Sequence, residues 1–131
     1  MNLAKNTFIG ILTLFLLVIS TFSFSINNEN IAPKTYSGIA SYYHPKFNGR
    51  KTANGEIFSN EKLTAANNFL KLGTIVKVLN PENGKTVIVK INDRMNKKNH
   101  RLIDLTEAAA RALDIIQQGL GKVEIEIIKE G

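Results

Sequence analysis

Residues 75–91 read IVKVLNPENGKTVIVKI, and this stretch decides the fold class. On its far side Val87, Val89 and Ile91 alternate with Thr86, Ile88 and Lys90, and on its near side Val76 and Val78 flank Lys77. Period-two alternation is the signature of a strand with one face in a core. Between the two runs stands Asn83-Gly84, a pair that accepts positive backbone φ, as tight hairpin turns require. The strands Ile75–Asn80 and Lys85–Ile91 are therefore expected to pair with each other. Outward from this hairpin, Tyr36–Tyr43 is another β-rich run, Leu102–Leu105 a short one, and Val123, Ile125 and Ile127 alternate with Lys122, Glu124 and Glu126. One segment has the other period: Leu105, Ala109, Ala112 and Ile116 share a helical face, widened by Ala108 and Leu113. Thr106 or Asp104 is placed to cap its start, and Gly119 or Gly121 to end it. About six strands and one short helix in some 100 residues point to a mainly β fold, a small closed barrel that leaves no strand edge exposed.

The chain has 131 residues, 44% of them hydrophobic and 21% charged, and a formal net charge of +6. That is a globular composition, and its basic balance suits an acidic partner or none in particular. With no cysteine, disulfides, thiolate metal sites, a cysteine nucleophile and a lipid-modified cysteine are all excluded. Residues 1–25 carry a positive start at Lys5, a nearly continuous apolar run from Phe8 to Ile19, and a stretch rich in small residues, Ser20 to Ser25, in which Ser23-Phe24-Ser25 fits the small-x-small cleavage pattern. This pattern is that of an export signal peptide, with an uncleaved anchor as the alternative. Residues 26–35 are expected to be a flexible lead-in and residues 36–131 the folded domain, acting as a monomer in the periplasm or cell envelope. His44 and His100 have no metal-ligand spacing, and neither a phosphate-cradling glycine loop nor a nucleic-acid motif occurs. No metal, cofactor or nucleic-acid partner is expected.

Several short motifs follow one another in order: Gly38-Ile39-Ala40-Ser41-Tyr42-Tyr43, Phe47-Asn48-Gly49-Arg50-Lys51-Thr52-Ala53-Asn54-Gly55-Glu56, Leu63-Thr64-Ala65-Ala66, Leu72-Gly73-Thr74, Asn92-Asp93-Arg94, and Arg101-Leu102-Ile103-Asp104-Leu105-Thr106 with Ala108-Ala109-Ala110. In this combination the chain resembles the rare lipoprotein A family over about residues 36–128. The resemblance implies a six-stranded double-psi β-barrel and an endolytic lytic transglycosylase that cuts the glycan strands of peptidoglycan to 1,6-anhydromuramyl ends. The same barrel occurs in expansins, which bind and loosen wall polysaccharide without clear hydrolysis, so a non-catalytic glycan-binding module is the alternative. The chain departs from the family pattern in places. Asn67 stands where many members have histidine, Met95-Asn96 follows Asp93-Arg94 where Gly-Pro is common, and Tyr42 takes the place of a common tryptophan.

Breaking a glycosidic bond requires a proton donor at the leaving oxygen and stabilisation of an oxocarbenium-like charge. Asp93, at the end of a strand and matching the family's Asp-Arg acid, is the first candidate for the acid/base, with a salt bridge or turn cap beside Arg94 as its structural alternative. Glu56, following the Asn54-Gly55 turn, is the second, either orienting substrate or standing as a plain surface acid. Asp104, in an apolar strand before the helix, is the third, either acid or helix cap. Tyr43 and Phe47 offer aromatic faces on which sugar rings stack, and Phe58 is expected in the core. Thr52, Asn67, Arg94 and Arg101 complete the expected substrate contacts. Arg94 has tuning of the acids as an alternative, and Arg101 belongs to the basic run from Lys97, which can hold the polymer's carboxylates.

Overall fold

A computed structural model describes residues 31–131, together with Ser23 and Ser25. Apart from those two serines, the expected signal segment and residues 26–30 lie outside the described residues. The unit Ala32–Gly131 holds six strands. They are β1 (Thr35–Tyr42), β2 (Thr64–Ala66), β3 (Ile75–Leu79), β4 (Thr86–Asp93), β5 (Ile103–Leu105) and β6 (Gly121–Lys129). A single 3-10 turn, Pro45–Phe47, and one α-helix, α1 (Glu107–Ala112), accompany them among the described residues.

The strands close into a barrel in the order β1-β5-β2-β4-β3-β6. Two pairs, β1 with β5 and β2 with β4, run parallel, and the other four are antiparallel. Alternation does what it predicts in β3 and β4: Val76, Val78, Val87, Val89 and Ile91 are buried while Thr86 and Ile88 face out. They meet Ala40, Ala65, Ile103, Leu105, Val123 and Ile125 from the other strands in one core. Each such valine or isoleucine contributes roughly 1.5–3 kcal/mol on burial, which is how a chain without disulfides holds itself closed.

The β3–β4 hairpin is present, with Leu79 opposite Thr86. Its connection is longer than a two-residue turn. Asn80 N–H donates to the Lys85 carbonyl (2.9 Å) and Gly84 N–H to the Asn80 carbonyl (2.9 Å). Only Gly84 of the Asn-Gly pair adopts positive φ, at 75°. The Asn80 side chain explains the extra length: its amide reaches the Leu113 carbonyl (2.9 Å), tying the turn to the end of the helix.

The helix is shorter than its periodicity suggests. Thr106 is the cap, its Oγ1 accepting from Ala109 N–H, and Leu105 is still a strand residue. The helix stops at Ala112 because Asp114 turns left-handed at φ 58°, a conformation that aspartate tolerates better than most residues and that breaks the hydrogen-bond ladder. Ile116 of the expected helical face packs on the core from a turn beyond the helix, while Ala112 is exposed. Strand β2 has no alternation to announce it, since all three of its residues are buried between β4 and β5.

Candidate active site

Three strand ends and one register relation build the site. On β2, Ala66 is paired with Asp93 of β4 on one side and with Asp104 of β5 on the other. Two interstrand spacings therefore separate the aspartates, about 10 Å between Cα atoms. Both side chains line one open trough of about 470 Å³, together with Ser41, Tyr43, Phe47, Arg94 and Arg101.

Asp93 is held on both oxygens. Its Oδ1 accepts from the backbone N–H groups of Ala53 and Arg94 (both 2.9 Å), and its Oδ2 from the Tyr43 hydroxyl (2.6 Å). The Ala53 contact also explains the Thr52–Glu56 turn, which docks on the end of β4 through Asn54 N–H to the Asn92 carbonyl (3.1 Å). Tyr43 is half-buried, its ring 4.4 Å from that of buried Phe58 and 5.8 Å from that of Phe47. Burial first, and then the bond to Asp93, push its hydroxyl pKa upward, so Tyr43 remains a proton-bearing donor.

Asp104 is placed differently. Thr106 does the helix capping, which leaves the Asp104 carboxyl to the trough. Ser41, its register partner on β1, donates from Oγ to Oδ1 (2.8 Å). Oδ2 has no protein partner among the described residues. Burial raises the Asp104 pKa above its ordinary value. The Ser41 bond and the Arg101 charge pull it down, and the like charge of Asp93 pushes it up again. Desolvation combined with a nearby charge, in a cleft, marks a carboxyl suited to carrying a proton.

Glu56 stands apart from the trough lining. It is paired with Lys90 and hydrogen-bonded by the Asn54 amide. Those contacts, Lys90 foremost, hold its carboxyl below the usual range. Thr52 is buried, its hydroxyl spent on Asn54 Oδ1 (2.6 Å). Asn67 is fully buried, with its amide donating to the Leu102 carbonyl (2.8 Å) and its Oδ1 accepting from Phe69 and Leu70 N–H (2.9 and 2.7 Å). Arg94 lines the trough but spends its guanidinium on the carbonyls of Asn67 and Leu70 (2.6 and 2.7 Å), locking the turn that follows β2. Arg101 is exposed and steadied by Asn99 Oδ1 (3.1 Å). Phe47 is half-buried, with Lys46 and Arg50 each poised over its ring, at 5.3 and 5.2 Å. Ser41, singled out only as part of a motif, enters the site through the parallel β1–β5 register. No local pattern in the sequence carries that pairing.

A family model described as lytic transglycolase matches residues 35–125. The probable endolytic peptidoglycan transglycosylase RlpA of Synechocystis sp. is 51% identical over 92 residues, covering 70% of this chain and 29% of that protein. The endolytic peptidoglycan transglycosylase RlpA of Haemophilus influenzae is 40% identical over 124 residues, covering 79% of this chain and 43% of that protein. The chain thus spans less than half the length of these relatives. Among solved structures, a Streptomyces papain inhibitor superposes with a TM-score of 0.60 at 20% identity, over 73% of this chain and 96% of that one. A point mutant of a Clavibacter michiganensis expansin in complex with cellohexaose gives 0.60 at 21% identity, over 73% of this chain and 51% of that one. At such identities the structural likeness speaks for the fold alone. A match across nearly the whole described domain, on a closed six-stranded barrel with two parallel pairs, shows that the chain belongs to the lytic transglycolase family of double-psi β-barrels.

Proposed function

We propose that this protein is an exported, cell-envelope lytic transglycosylase that cleaves peptidoglycan glycan strands within the chain and leaves 1,6-anhydromuramyl ends. The observation that carries the reading is the pairing of Asp93 and Asp104 in one trough, both registered against Ala66. The two carboxyls have unlike surroundings, and unlike surroundings divide acid from anion. Asp104, desolvated and with Oδ2 open, protonates the glycosidic oxygen as the bond from that oxygen to the muramic C1 breaks. It then takes the proton from the muramic 6-hydroxyl as that oxygen bonds to C1, and so returns to its starting state without water. Asp93, fixed by Tyr43 and two backbone N–H groups, faces the positive charge that develops at C1. Phe47 contacts the sugar rings and Arg101 the polymer's carboxylates. Glu56, tied to Lys90, supports the turn that supplies the Ala53 donor.

The relatives' name, endolytic peptidoglycan transglycosylase, supports the substrate class. A second reading, a glycan-binding module without catalysis, draws on Asn67, whose buried amide stands where many family members have a titratable histidine. Incubating the protein with purified glycan strands separates the two. Anhydromuramyl ends detected by mass spectrometry support the first reading. A wild-type protein that binds strands but yields no such ends in both acidic and neutral buffers overturns it.

A further inference from the structure

Of the large apolar side chains exposed among the described residues, Tyr36 and Phe69 are the aromatic ones, the rest being isoleucine and leucine. These two touch, with ring centroids 4.9 Å apart in an edge-to-face arrangement of 61°. With Lys34, Lys71, Thr74 and Glu130 they line a concavity of about 140 Å³ separate from the aspartate trough. Phe69 is 54% exposed, yet its backbone is rigidly placed. Its N–H donates to Asn67 Oδ1, and Arg94 grips the carbonyls at both ends of the turn. The same turn is fastened to the trough rim, where Asn68 Oδ1 accepts from Met95 N–H (2.8 Å). An exposed ring on so fixed a support is preorganised for a ligand.

We propose that the Tyr36–Phe69 pair is a second carbohydrate subsite, taking a pyranose ring of the wall glycan against Phe69 while Lys71 receives carboxylates carried by the polymer, Lys34 being paired with Glu130 (3.4 Å). The inference rests on the substrate class proposed above. Aromatic faces meet the C–H groups of sugars in a way that aliphatic patches do not. Lys71 and the Thr74 hydroxyl on the rim suit a polar chain carrying carboxylates, whereas insertion into a membrane requires a broad apolar face. Tyr36 precedes Ser41 by five residues on β1, about 17 Å of extended chain. That odd interval turns the two side chains to opposite faces, so the link to the trough runs instead through Met95, which lines it and bonds Asn68 next to Phe69; a long strand passing over Met95 engages both sites, and a short fragment only one of them.

The test is cosedimentation of the full chain with insoluble peptidoglycan, using F69A, Y36A/F69A and K71E in a D104N background that prevents turnover. F69A is expected to weaken binding about ten-fold, and K71E to weaken it in a salt-dependent way, with unfolding midpoints unchanged. In the catalytically intact chain, F69A is expected to raise KM on long strands and leave short fragments unaffected. Unchanged binding by F69A and Y36A/F69A overturns the subsite. So does a loss confined to anionic lipid vesicles, which would make the patch a membrane contact. If the wild type yields no anhydromuramyl ends while F69A still loses binding, the transglycosylase reading fails and the subsite stands.

Discussion

Replacing Asp104 by asparagine separates its chemistry from its packing. The amide is isosteric, and its Oδ1 still accepts the Ser41 hydroxyl that now lies at 2.8 Å, so the one hydrogen bond worth about 1 kcal/mol is kept. What is lost is the transferable proton. General acid–base catalysis contributes about 10²–10⁴-fold, or about 2.7–5.5 kcal/mol of barrier, so D104N should reduce the formation of anhydromuramyl ends by about 100-fold or more. Stability should move the other way. The folded-state pKa of Asp104 is raised, so the folded protein holds this proton more tightly than the unfolded chain does. Its contribution is favourable below the unfolded value, about 3.9, and is lost as pH rises through the folded value. Above the unfolded value the folded chain bears the cost of desolvating this acid, and the amide is free of that cost. D104N should therefore unfold at a higher temperature than the wild type at about pH 7, with the difference vanishing near about pH 3. Product yield by mass spectrometry and unfolding midpoints across pH give both readouts. More than about a tenth of wild-type activity, or a variant clearly less stable at neutral pH, would refute the role given to this carboxyl.

Three further outcomes follow from the geometry. Tyr43→Phe keeps the ring against Phe58 and removes one of three donors to Asp93, so kcat should fall about ten-fold, as expected for one charge-assisted hydrogen bond, with the unfolding midpoint little changed. Asn67→Ala strands the Leu102 carbonyl and the N–H groups of Phe69 and Leu70; denaturant titration should show a loss of about 2–3 kcal/mol. Gly38→Ala would set a Cβ 2.7 Å from Leu102 Cβ, an overlap that should cost about 1–3 kcal/mol in the same assay.

Much of the barrel is legible in the chain because strands with one buried face must alternate. Residues 75–91 show this on both arms, and Val123, Ile125 and Ile127 show it again. The helix cap was legible down to a choice between two residues, since either Thr106 or Asp104 could supply the oxygen; the backbone geometry assigns it to Thr106. Strand β2 was not legible as a strand, because Thr64-Ala65-Ala66 is buried on both sides and has no period to read. The helix end is not legible at either glycine, because a left-handed aspartate at 114 stops the helix before they are reached.

The candidate acids divide in the same manner. Their residue types and motif setting are properties of the sequence, and they mark Asp93, Glu56 and Asp104. Which of them share a trough depends on β2 lying between β4 and β5, so that Ala66 meets Asp93 and Asp104 together. Glu56 is turned instead to Lys90. The parallel β1–β5 pair likewise brings Ser41 to Asp104 across 63 residues of chain. Local pattern specifies each element, because hydrophobic burial and backbone sterics act over a few residues. Proximity of charges distant in sequence is settled only when the barrel closes and fixes the register between strands.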